Sequence, residues 1–365
     1  MKQSNLFTAP ENDELEITIF GSGFGESMVV HLTDGKWLIV DSCVSSDVNL
    51  PCPIEYLQRI GVDVDKSVSL VVATHWHDDH IKGISKIFEI CASAKPVFSV
   101  AFFDKKFQNL VLDSAYSRMP LASSGISEIN KAWKLLQKNN NKLIFAMEDK
   151  LLLDENFQIY SLSPSSSIVE KAIQAIISQL PEQTMTAKRI ASPNPNYTSV
   201  VLWLKNDLER MLFGADLEEA RDHKGWSTII DNKKPTIIDR KAKIYKVAHH
   251  GSETGHHDGI WTDLLEPDPI CLIAPFNRNP KLPSKDDIER IINLSDSVFI
   301  SSAASVIAEN IKSQDKHVKR TLQKRSASYV DNAFSFVRHR KRKGGKWCFD
   351  LYGNAEKLSA EKTTK

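Results

Sequence analysis

Residues 70–80 constrain the fold of this chain more than any other stretch. They read Leu-Val-Val-Ala-Thr-His-Trp-His-Asp-Asp-His, so a short apolar run ends in three histidines and two aspartates within six positions. The apolar run predicts a buried strand. Since histidine and aspartate are uncommon in a hydrophobic core, the cluster that follows predicts a metal site at the end of that strand.

The spacing within the cluster indicates which residues act together. Residues two apart in an extended segment point the same way, so His75 and His77 are predicted to hold one ion. Asp79 and His80 lie further along and suit a second ion. Two ions roughly 3.5–4 Å apart would hold a bridging hydroxide as the nucleophile. A polar surface loop is the competing interpretation, and the apolar strand directly before the cluster argues against it.

The pattern His-x-His-x-Asp-His, present as His75, His77, Asp79 and His80, resembles the signature of the metallo-β-lactamase superfamily. The resemblance implies an α/β fold, specifically a four-layer αββα sandwich. It also implies a hydrolase that uses two divalent metal ions, zinc or manganese. The resemblance in fold runs from about residue 15 to about residue 301, and the specific part of it is the set of ligand motifs.

Two further strands end in aspartates that fit this scheme. The strand Met211-Leu-Phe-Gly-Ala-Asp216 places a carboxylate at its tip, where Asp216 is predicted to bridge the two ions. Asp79 and Asp216 would then serve catalysis as well as metal binding. Asp41 closes the third strand of the amino-terminal region and is predicted to orient a metal-bound histidine. A simple turn-starting aspartate is the alternative interpretation of Asp41.

A second histidine motif follows the strand Lys243–Ala248 and reads His249-His250-Gly-Ser. It resembles the last histidine motif of the superfamily, particularly its form in the soluble domain of competence DNA-uptake proteins. His249 leaves the strand first and is predicted to bind the second ion. His250 is then predicted to donate a proton to the leaving group or to contact the substrate. The roles of His249 and His250 could also be exchanged.

One ligand of the superfamily pattern is missing. In the superfamily a third histidine usually completes the coordination of the first ion, and it lies just before the strand that leads to the bridging aspartate. Here residues 192–198 read Ser-Pro-Asn-Pro-Asn-Tyr-Thr, without a histidine. Asn196, or water, is the candidate replacement. A neutral amide oxygen suits manganese better than zinc.

The chain is predicted to form one domain over residues 1–353 and to end in a flexible tail at 354–365. A helical insertion is predicted at about 104–190, and a basic segment at about 304–353. The glycines of Gly21-Ser-Gly-Phe-Gly25 join two strands, because the residues that follow are apolar and β-branched. This pattern argues against a dinucleotide-binding loop, which must open a helix.

Basic and aromatic residues alternate in the carboxyl-terminal segment. This pattern is typical of a surface that binds a phosphate backbone and unstacked bases. The alternative is a hairpin whose strands join at a solvated basic turn around Gly344-Gly345. The candidate nucleic-acid contacts are Arg338, Arg340, Lys341, Arg342 and Lys343.

Composition places the chain among globular proteins that do not cross a membrane. The sequence is 41% hydrophobic and 25% charged, and no apolar run approaches the roughly 18 residues of a membrane span. The amino terminus lacks an apolar signal core. Five scattered cysteines give no disulfide framework. Together these features predict a cytoplasmic protein with reduced thiols.

The predicted function is metal-dependent hydrolysis of a phosphodiester, with DNA or RNA as the substrate. One alternative is hydrolysis of a small ester, lactone, thioester or cyclic nucleotide, because the same scaffold carries many chemistries. A second is a non-catalytic module that binds nucleic acid or protein, which the missing histidine favours. The resemblance also allows a partner protein from the same operon, and the sequence does not indicate an oligomeric state.

Overall fold

The computed structural model describes residues 6–45, 48–102, 124–177, 195–219, 225–303 and 334–359. In this part of the chain the strands form two sheets of eight. The strands of the first sheet are β1 Glu14–Phe20, β2 Ser27–His31, β3 Trp37–Val40, β4 Val68–Ala73, β5 Lys95–Ser99, β6 Ile144–Ala146, β14 Phe336–Arg342 and β15 Cys348–Tyr352. The strands of the second are β7 Lys150–Asp154, β8 Gln158–Ser161, β9 Leu202–Lys205, β10 Arg210–Phe213, β11 Ala242–Lys246, β12 Leu265–Ile273, β13 Val298–Ile300 and β16 Glu356–Leu358.

The strand order is β15-β14-β1-β2-β3-β4-β5-β6 in the first sheet and β16-β13-β12-β11-β10-β9-β8-β7 in the second. Strands β3 to β6 run parallel, as do β10 to β13. The described helices are α1 Cys52–Arg59, α2 Val64–Ser67, α3 Asp78–Ile81, α4 Ile84–Ile90, α5 Ser124–Lys138, α6 Ser166–Ile177, α7 Trp226–Asp231 and α8 Lys285–Ile292. None of these helices is long and apolar enough to cross a membrane.

Strand β4 shows how the layers are built. Leu70 and Val72 pack between the two sheets, whereas Val71 and Ala73 pack with the side chains of α1, α4 and α5 on the outer face. A strand that is buried on both faces reads as a continuous apolar run, which is why residues 68–73 show no polar alternation. A third apolar cluster covers the outer face of the second sheet. The predicted four-layer αββα sandwich is confirmed.

The structure corrects two of the predicted segments. The region predicted as a helical insertion contains α5 and α6, but its residues 144–161 form β6, β7 and β8, which complete the edges of both sheets. The predicted flexible tail begins with an ordered strand, since β16 pairs antiparallel with β13. Short edge strands of three to five residues carry too little periodicity to be recognised in sequence. Residues 304–333 of the basic segment lie outside the described residues.

The carboxyl-terminal hairpin is present. Strands β14 and β15 pair antiparallel, and β14 also pairs with β1, so that Phe336 lies opposite Phe20 and Arg342 opposite Glu14. The hairpin thus extends the first sheet beyond β1, so that strands from both ends of the chain are neighbours in it. Its basic turn lies at the edge of the sandwich where β1 begins.

His339 on β14 gives the fold a predictable response to acid. The side chain is 1% exposed and packs on Phe299 with ring centroids 4.5 Å apart, and burial lowers its pKa to about 3. In the unfolded chain the imidazole takes up a proton near pH 6.5. The unfolded state therefore binds more protons between pH 6.5 and about 3, and the free energy of unfolding falls as the pH drops through this window.

Replacing His339 with Phe is expected to remove this contribution. Relative to neutral pH, lowering the pH to 5 should cost the wild type about 2 kcal/mol more than the variant, at about 1.4 kcal/mol per pH unit. Denaturant unfolding at both pH values measures the difference. An equal loss in both proteins would show that His339 already accepts a proton in the folded state.

Candidate metal centre

The ends of four parallel strands converge at one edge of the sandwich. Strand β4 leads to His75 and His77, and α3 directly after it holds Asp79 and His80. Three other strand ends supply the remaining side chains: Asp41 follows β3, Asp216 follows β10, and His249 and His250 follow β11. The carboxyl ends of parallel strands meet at a common edge, which places these groups together.

The first group of ligand atoms is formed by His75, His77 and Asp216. His75 Nε2 lies 3.2 Å from His77 Nδ1 and 3.9 Å from Asp216 Oδ2. Both histidines come from the same extended segment, as their spacing predicts. His75 is fully buried and His77 partly exposed, so this group opens towards solvent on the side of His77.

The second group of ligand atoms is formed by Glu26, His80, His250 and the same Asp216, and Asp79 lies within 4 Å of both histidines. Asp216 Oδ2 lies 3.2 Å from His80 Nε2 and 3.3 Å from His250 Nε2. Asp79 Oδ2 lies 3.1 Å from His250 Nε2 and 3.8 Å from His80 Nε2. Oxygen Oδ2 of Asp216 is therefore common to both groups.

These separations fit the geometry of bound divalent ions. Tetrahedral zinc with bonds of about 2.0–2.1 Å holds neighbouring ligand atoms about 3.3 Å apart. The four distances that join Asp79 and Asp216 to the two histidines are 3.1–3.8 Å, and His80 Nε2, although close to Asp216, is buried without a well-formed hydrogen bond. An unpartnered imidazole nitrogen at this depth is costly unless a cation occupies the space in front of it. The donor set is thus suited to divalent metal ions.

Hydrogen bonds behind the histidines fix which nitrogen is available. His80 Nδ1 lies 2.8 Å from Asp41 Oδ2, and Thr74 Oγ1 donates to the same carboxylate at 2.7 Å. Because the Thr74 hydrogen is used there, its oxygen accepts from His75 Nδ1 at 3.0 Å. His250 Nδ1 donates to the carbonyl of Ala274 at 3.0 Å. With Nδ1 engaged in this way, Nε2 is the nitrogen that each of these three imidazoles turns towards the centre.

The buried charges around the centre are strongly coupled. Burial lowers the pKa of His80 and of His250, but the Asp216 carboxylate, with further carboxylates nearby, raises both well above the usual range. Burial raises the pKa of Asp216, but the imidazoles of His250 and His80 hold it well below the usual range. For His75, burial and the neighbouring His80 lower the pKa well below 6.5. Bound metal ions would replace the protons on His80 and His250.

The structure separates the two histidines that the sequence leaves interchangeable. His250 is 2% exposed and joins the second group, whereas His249 is partly exposed and lies at its margin. His249 Nε2 lies 3.2 Å from the amide nitrogen of Asn196, and its Nδ1 lies 2.7 Å from Thr254 Oγ1. The Asn196 amide also donates to Glu218 at 2.7 Å.

Two charged residues of the centre are not predicted from the sequence. Lys246 is 1% exposed, and its ammonium group lies 2.5 Å from Glu26 Oε1, donates to the Ala215 carbonyl at 2.8 Å and lies 3.7 Å from Asp216 Oδ1. Glu26 is 3% exposed and also approaches His250 Nδ1 at 3.3 Å. The available signal was a lysine at the end of an otherwise apolar strand, where a charge requires a buried partner.

The backbone is strained where the ligands leave their strands. Asp41, Ala215, His249 and His250 have φ angles of 58°, 43°, 46° and 52°. Each left-handed conformation of this kind costs about 1–3 kcal/mol and persists where the surrounding structure enforces it. Gly214 allows the ends of β10 and β11 to approach, because a Cβ there would lie 2.9 Å from Ala248 Cβ.

The predicted nucleic-acid contacts lie away from this centre. Arg338 is 2% exposed and pairs with Asp350 at 2.8 Å, so its prediction as a contact is wrong: it is a structural residue. Arg340 pairs with the buried Glu16 at 2.6 Å. The remaining residues of the set are Lys341, Arg342 and Lys343. They lie beside the first residues of β1, at the end of the sandwich opposite the metal centre.

Comparisons with known proteins give distant similarities. No protein-family model matches the chain. Cleavage and polyadenylation specificity factor subunit 3-II from Arabidopsis thaliana is 23% identical over 150 residues, which are 40% of this chain and 24% of that protein. The match therefore spans about a quarter of the relative's length.

Three solved structures illustrate the structural similarity. The metallo-β-lactamase fold protein YhfI from Bacillus subtilis is 13% identical and aligns over 63% of this chain and 70% of its own, with a TM-score of 0.32. The short form of human tRNase Z is 9% identical over 63% and 76%, with a TM-score of 0.30. Zinc-bound PqqB from Methylobacterium extorquens is 11% identical over 63% and 71%, with a TM-score of 0.33.

Strand order and ligand positions identify the fold more directly than these similarities do. Two sheets lie between helical layers, and the His-x-His-x-Asp-His motif follows β4 and meets Asp216 and His250 from the second sheet. The closer resemblance to competence DNA-uptake proteins stays a prediction. This chain has the metallo-β-lactamase fold, as its histidine motif predicts.

Proposed function

We propose that this chain is a metal-dependent phosphodiesterase that acts on nucleic acid. The observation that carries the proposal is the shared position of Asp216 Oδ2, which belongs to both groups of ligand atoms. A carboxylate common to two sites is what a two-metal hydrolase requires. Centres of this kind recur in phosphatases and nucleases, where paired ions assist an in-line displacement.

The residues divide between the two sites as follows. His75, His77 and Asp216 would hold one ion. His80, His250 and Asp216 would hold the other together with Asp79, because Glu26, the fourth member of that group, is paired with Lys246. Asn196 or water would complete the first site, which favours manganese over zinc there. Zinc or manganese bound here would supply Lewis-acid stabilisation of the phosphoryl group and an activated nucleophile at neutral pH.

The protein's own groups prepare the site for this chemistry. Asp41 holds Thr74 and His80, and through Thr74 it fixes His75, so one carboxylate orients ligands of both ions. Strained loops and buried walls keep these side chains in place, which reduces the reorganisation needed during the reaction.

His249 lies at the margin of the metal centre and is the proposed proton donor. Its side chain is partly exposed, so a substrate can reach it. A hydrogen bond between Nδ1 and Thr254 Oγ1 holds the ring in place. We assign His249 the donation of a proton to the leaving oxygen, the role that the sequence predicts for His250. General acids of this kind contribute about 10²–10⁴-fold to the rate.

The name of the Arabidopsis relative is consistent with a nucleic-acid substrate. That protein is described as a cleavage and polyadenylation specificity factor subunit. The His-His-Gly-Ser motif, with its resemblance to competence DNA-uptake proteins, supports the same class of substrate. Hydrolysis of a small ester or lactone remains the outcome to be excluded by experiment.

Exchanging each histidine for Asn separates the proposed roles, because Asn tolerates the left-handed backbone of both positions. His250→Asn is expected to lose one bound ion per chain, while His249→Asn keeps both ions and loses turnover by at least about a hundredfold. Metal analysis and hydrolysis of end-labelled DNA and RNA measure the two effects. Loss of an ion from His249→Asn alone would reverse the assignment.

Cleavage of the labelled strands tests the function itself. Metal-stripped chain reloaded with Zn²⁺ or Mn²⁺ is expected to cut at least one of single-stranded DNA, double-stranded DNA and RNA. The metal-free sample should be inactive. Binding of both ions without any cleavage, together with turnover of a lactone or thioester, would replace the phosphodiesterase with an acyl hydrolase.

A further inference from the structure

Beside the metal centre lies a group of residues that the ligand set does not use. It consists of Phe24, Phe276 and Arg278 and is called the rim cluster here. The Phe276 ring stacks on the His250 imidazole with centroids 5.4 Å apart and planes at 25°. Phe24 lies 6.0 Å from Phe276, and the Arg278 guanidinium lies 3.6 Å from the Phe24 ring centroid.

Two loops hold the rim cluster in place. The backbone N–H of Asn277 donates to the Gly23 carbonyl at 2.6 Å, and Phe276 and Leu282 exchange backbone hydrogen bonds of 2.7 Å. Gly23 has a φ of +121°, and a Cβ there would lie 2.5 Å from Asn277 Nδ2. The loop between β1 and β2 is therefore packed tightly against the segment that follows β12. This packing fixes both aromatic rings before any ligand binds.

The surface of the rim cluster remains accessible. Arg278 is exposed, and Phe24 and Phe276 are partly exposed. Among the described residues Arg278 contacts the Phe24 ring and forms no ion pair with a carboxylate. Arg338 and Arg340 differ in this respect, since both are held by carboxylates. The arginine next to the metal centre thus has its charge available for an anion.

A planar cation stacked on an aromatic ring matches one kind of ligand well. Unpaired bases of single-stranded nucleic acid stack on aromatic side chains and on arginine guanidinium planes. The guanidinium also binds phosphate oxygens through paired hydrogen bonds. In a duplex the bases already stack on each other, so these flat surfaces would have no base to accept.

We propose that the rim cluster binds one nucleotide of a single strand beside the scissile diester. The base lies on the aromatic and guanidinium surface, and the neighbouring phosphate binds Arg278. This inference rests on the proposed function and names its substrate as single-stranded. It makes Phe24, Phe276 and Arg278 residues that select the substrate, and it leaves the chemical step to the metal centre.

Binding of a fluorescent oligonucleotide to the full-length chain in the presence of chelator tests the inference without turnover. The reference is an abasic strand of equal length, which carries the same phosphates. The wild type should bind the strand with bases roughly fivefold or more tightly than the abasic strand. Arg278→Ala and Phe24→Leu should each reduce that preference towards parity, and Arg278→Lys should restore the charge but not the preference.

Arg240→Ala is the matched control, because it removes an exposed arginine just before β11, at the opposite end of the sandwich. It should leave the preference for bases unchanged. Equal binding of both strands by the wild type would overturn the inference, as would an unchanged preference in both Arg278 variants.

A small diester keeps this result separate from the proposed function. Bis(p-nitrophenyl) phosphate has no nucleobase, so its metal-dependent hydrolysis by the wild type tests the phosphodiesterase independently of the base preference. A base preference without hydrolysis of any diester would retain the nucleotide site and reject the phosphodiesterase. Hydrolysis of this diester without a base preference would retain the phosphodiesterase and reject the nucleotide site.

Discussion

Replacing Asp216 with Asn is expected to abolish metal-dependent turnover, with a loss of at least about a thousandfold. The substitution keeps the shape of the side chain but removes the negative charge that both groups of ligands share. Asp216 Oδ2 lies within 3.9 Å of ligand atoms from His75, His80 and His250, so one change weakens both sites. Metal analysis should show the loss of at least one ion together with the loss of hydrolysis.

Asp207→Asn provides the matched control for this experiment. Asp207 is exposed in the turn between β9 and β10, at the end of the sandwich opposite the metal centre. Its replacement removes the same charge without touching a ligand. Full activity in Asp216→Asn, with both ions still bound, would contradict the assignment of the bridging carboxylate.

Replacing Lys246 with Met is expected to destabilise the folded chain by about 3–5 kcal/mol, measured by denaturant unfolding without metal. The ammonium group is buried against Glu26, and its removal leaves that carboxylate without its closest cation. Burial lowers the pKa of Lys246, but Glu26 and Asp216 raise it above the usual range, so the lysine is charged. For Glu26 the balance holds its pKa below the usual range, so the pair is ionic.

Two further variants show whether the buried charge is responsible. Lys243→Met lies on the same strand, where the lysine donates to the Asp268 carbonyl near the surface, and should change stability by less than about 1 kcal/mol. Adding Glu26→Gln to Lys246→Met should recover part of the loss, because the orphaned charge is then gone. An undiminished stability in Lys246→Met alone would mean that water reaches Glu26 in the folded chain.

The sequence identifies the metal centre largely because the ligands are adjacent in the chain. His75, His77 and His80 follow one apolar strand within six positions, so local geometry alone brings them together. The tip of β10 places Asp216 by the same rule. Helix α8 begins at a similarly local signal, since Ser284 and Asp287 form the reciprocal hydrogen bonds of a capping box.

The remaining features depend on contacts between distant segments. Nothing in the His-His pair shows that His250, rather than His249, meets Asp79, which lies 171 positions earlier in the chain. Lys246 ends β11 of the second sheet, Glu26 directly precedes β2 of the first, and neither residue has a local pattern that indicates the other. Strands β6, β7 and β8 are short strands at or next to the sheet edges, and their positions are set by the sheets they complete.

The basic carboxyl-terminal strand shows the limit of charge patterns. Alternation of arginine with aromatic residues is common to a nucleic-acid surface and to a strand that packs in a sheet. Here Glu16 on β1 pairs with Arg340, and Asp350 on β15 pairs with Arg338, so neighbouring strands neutralise these charges. Composition alone does not reveal such cross-strand partners, because they depend on the register of β14.

The most direct test of the central claim is a metal titration with activity measured on the same sample. Metal-stripped chain receives increasing Mn²⁺ or Zn²⁺, bound metal is counted, and hydrolysis of a phosphodiester is followed at each step. The account predicts two ions per chain, one for each group of ligands, with turnover that rises as the second ion binds. Saturation at a single ion, or hydrolysis of the diester by the fully stripped chain, would contradict it.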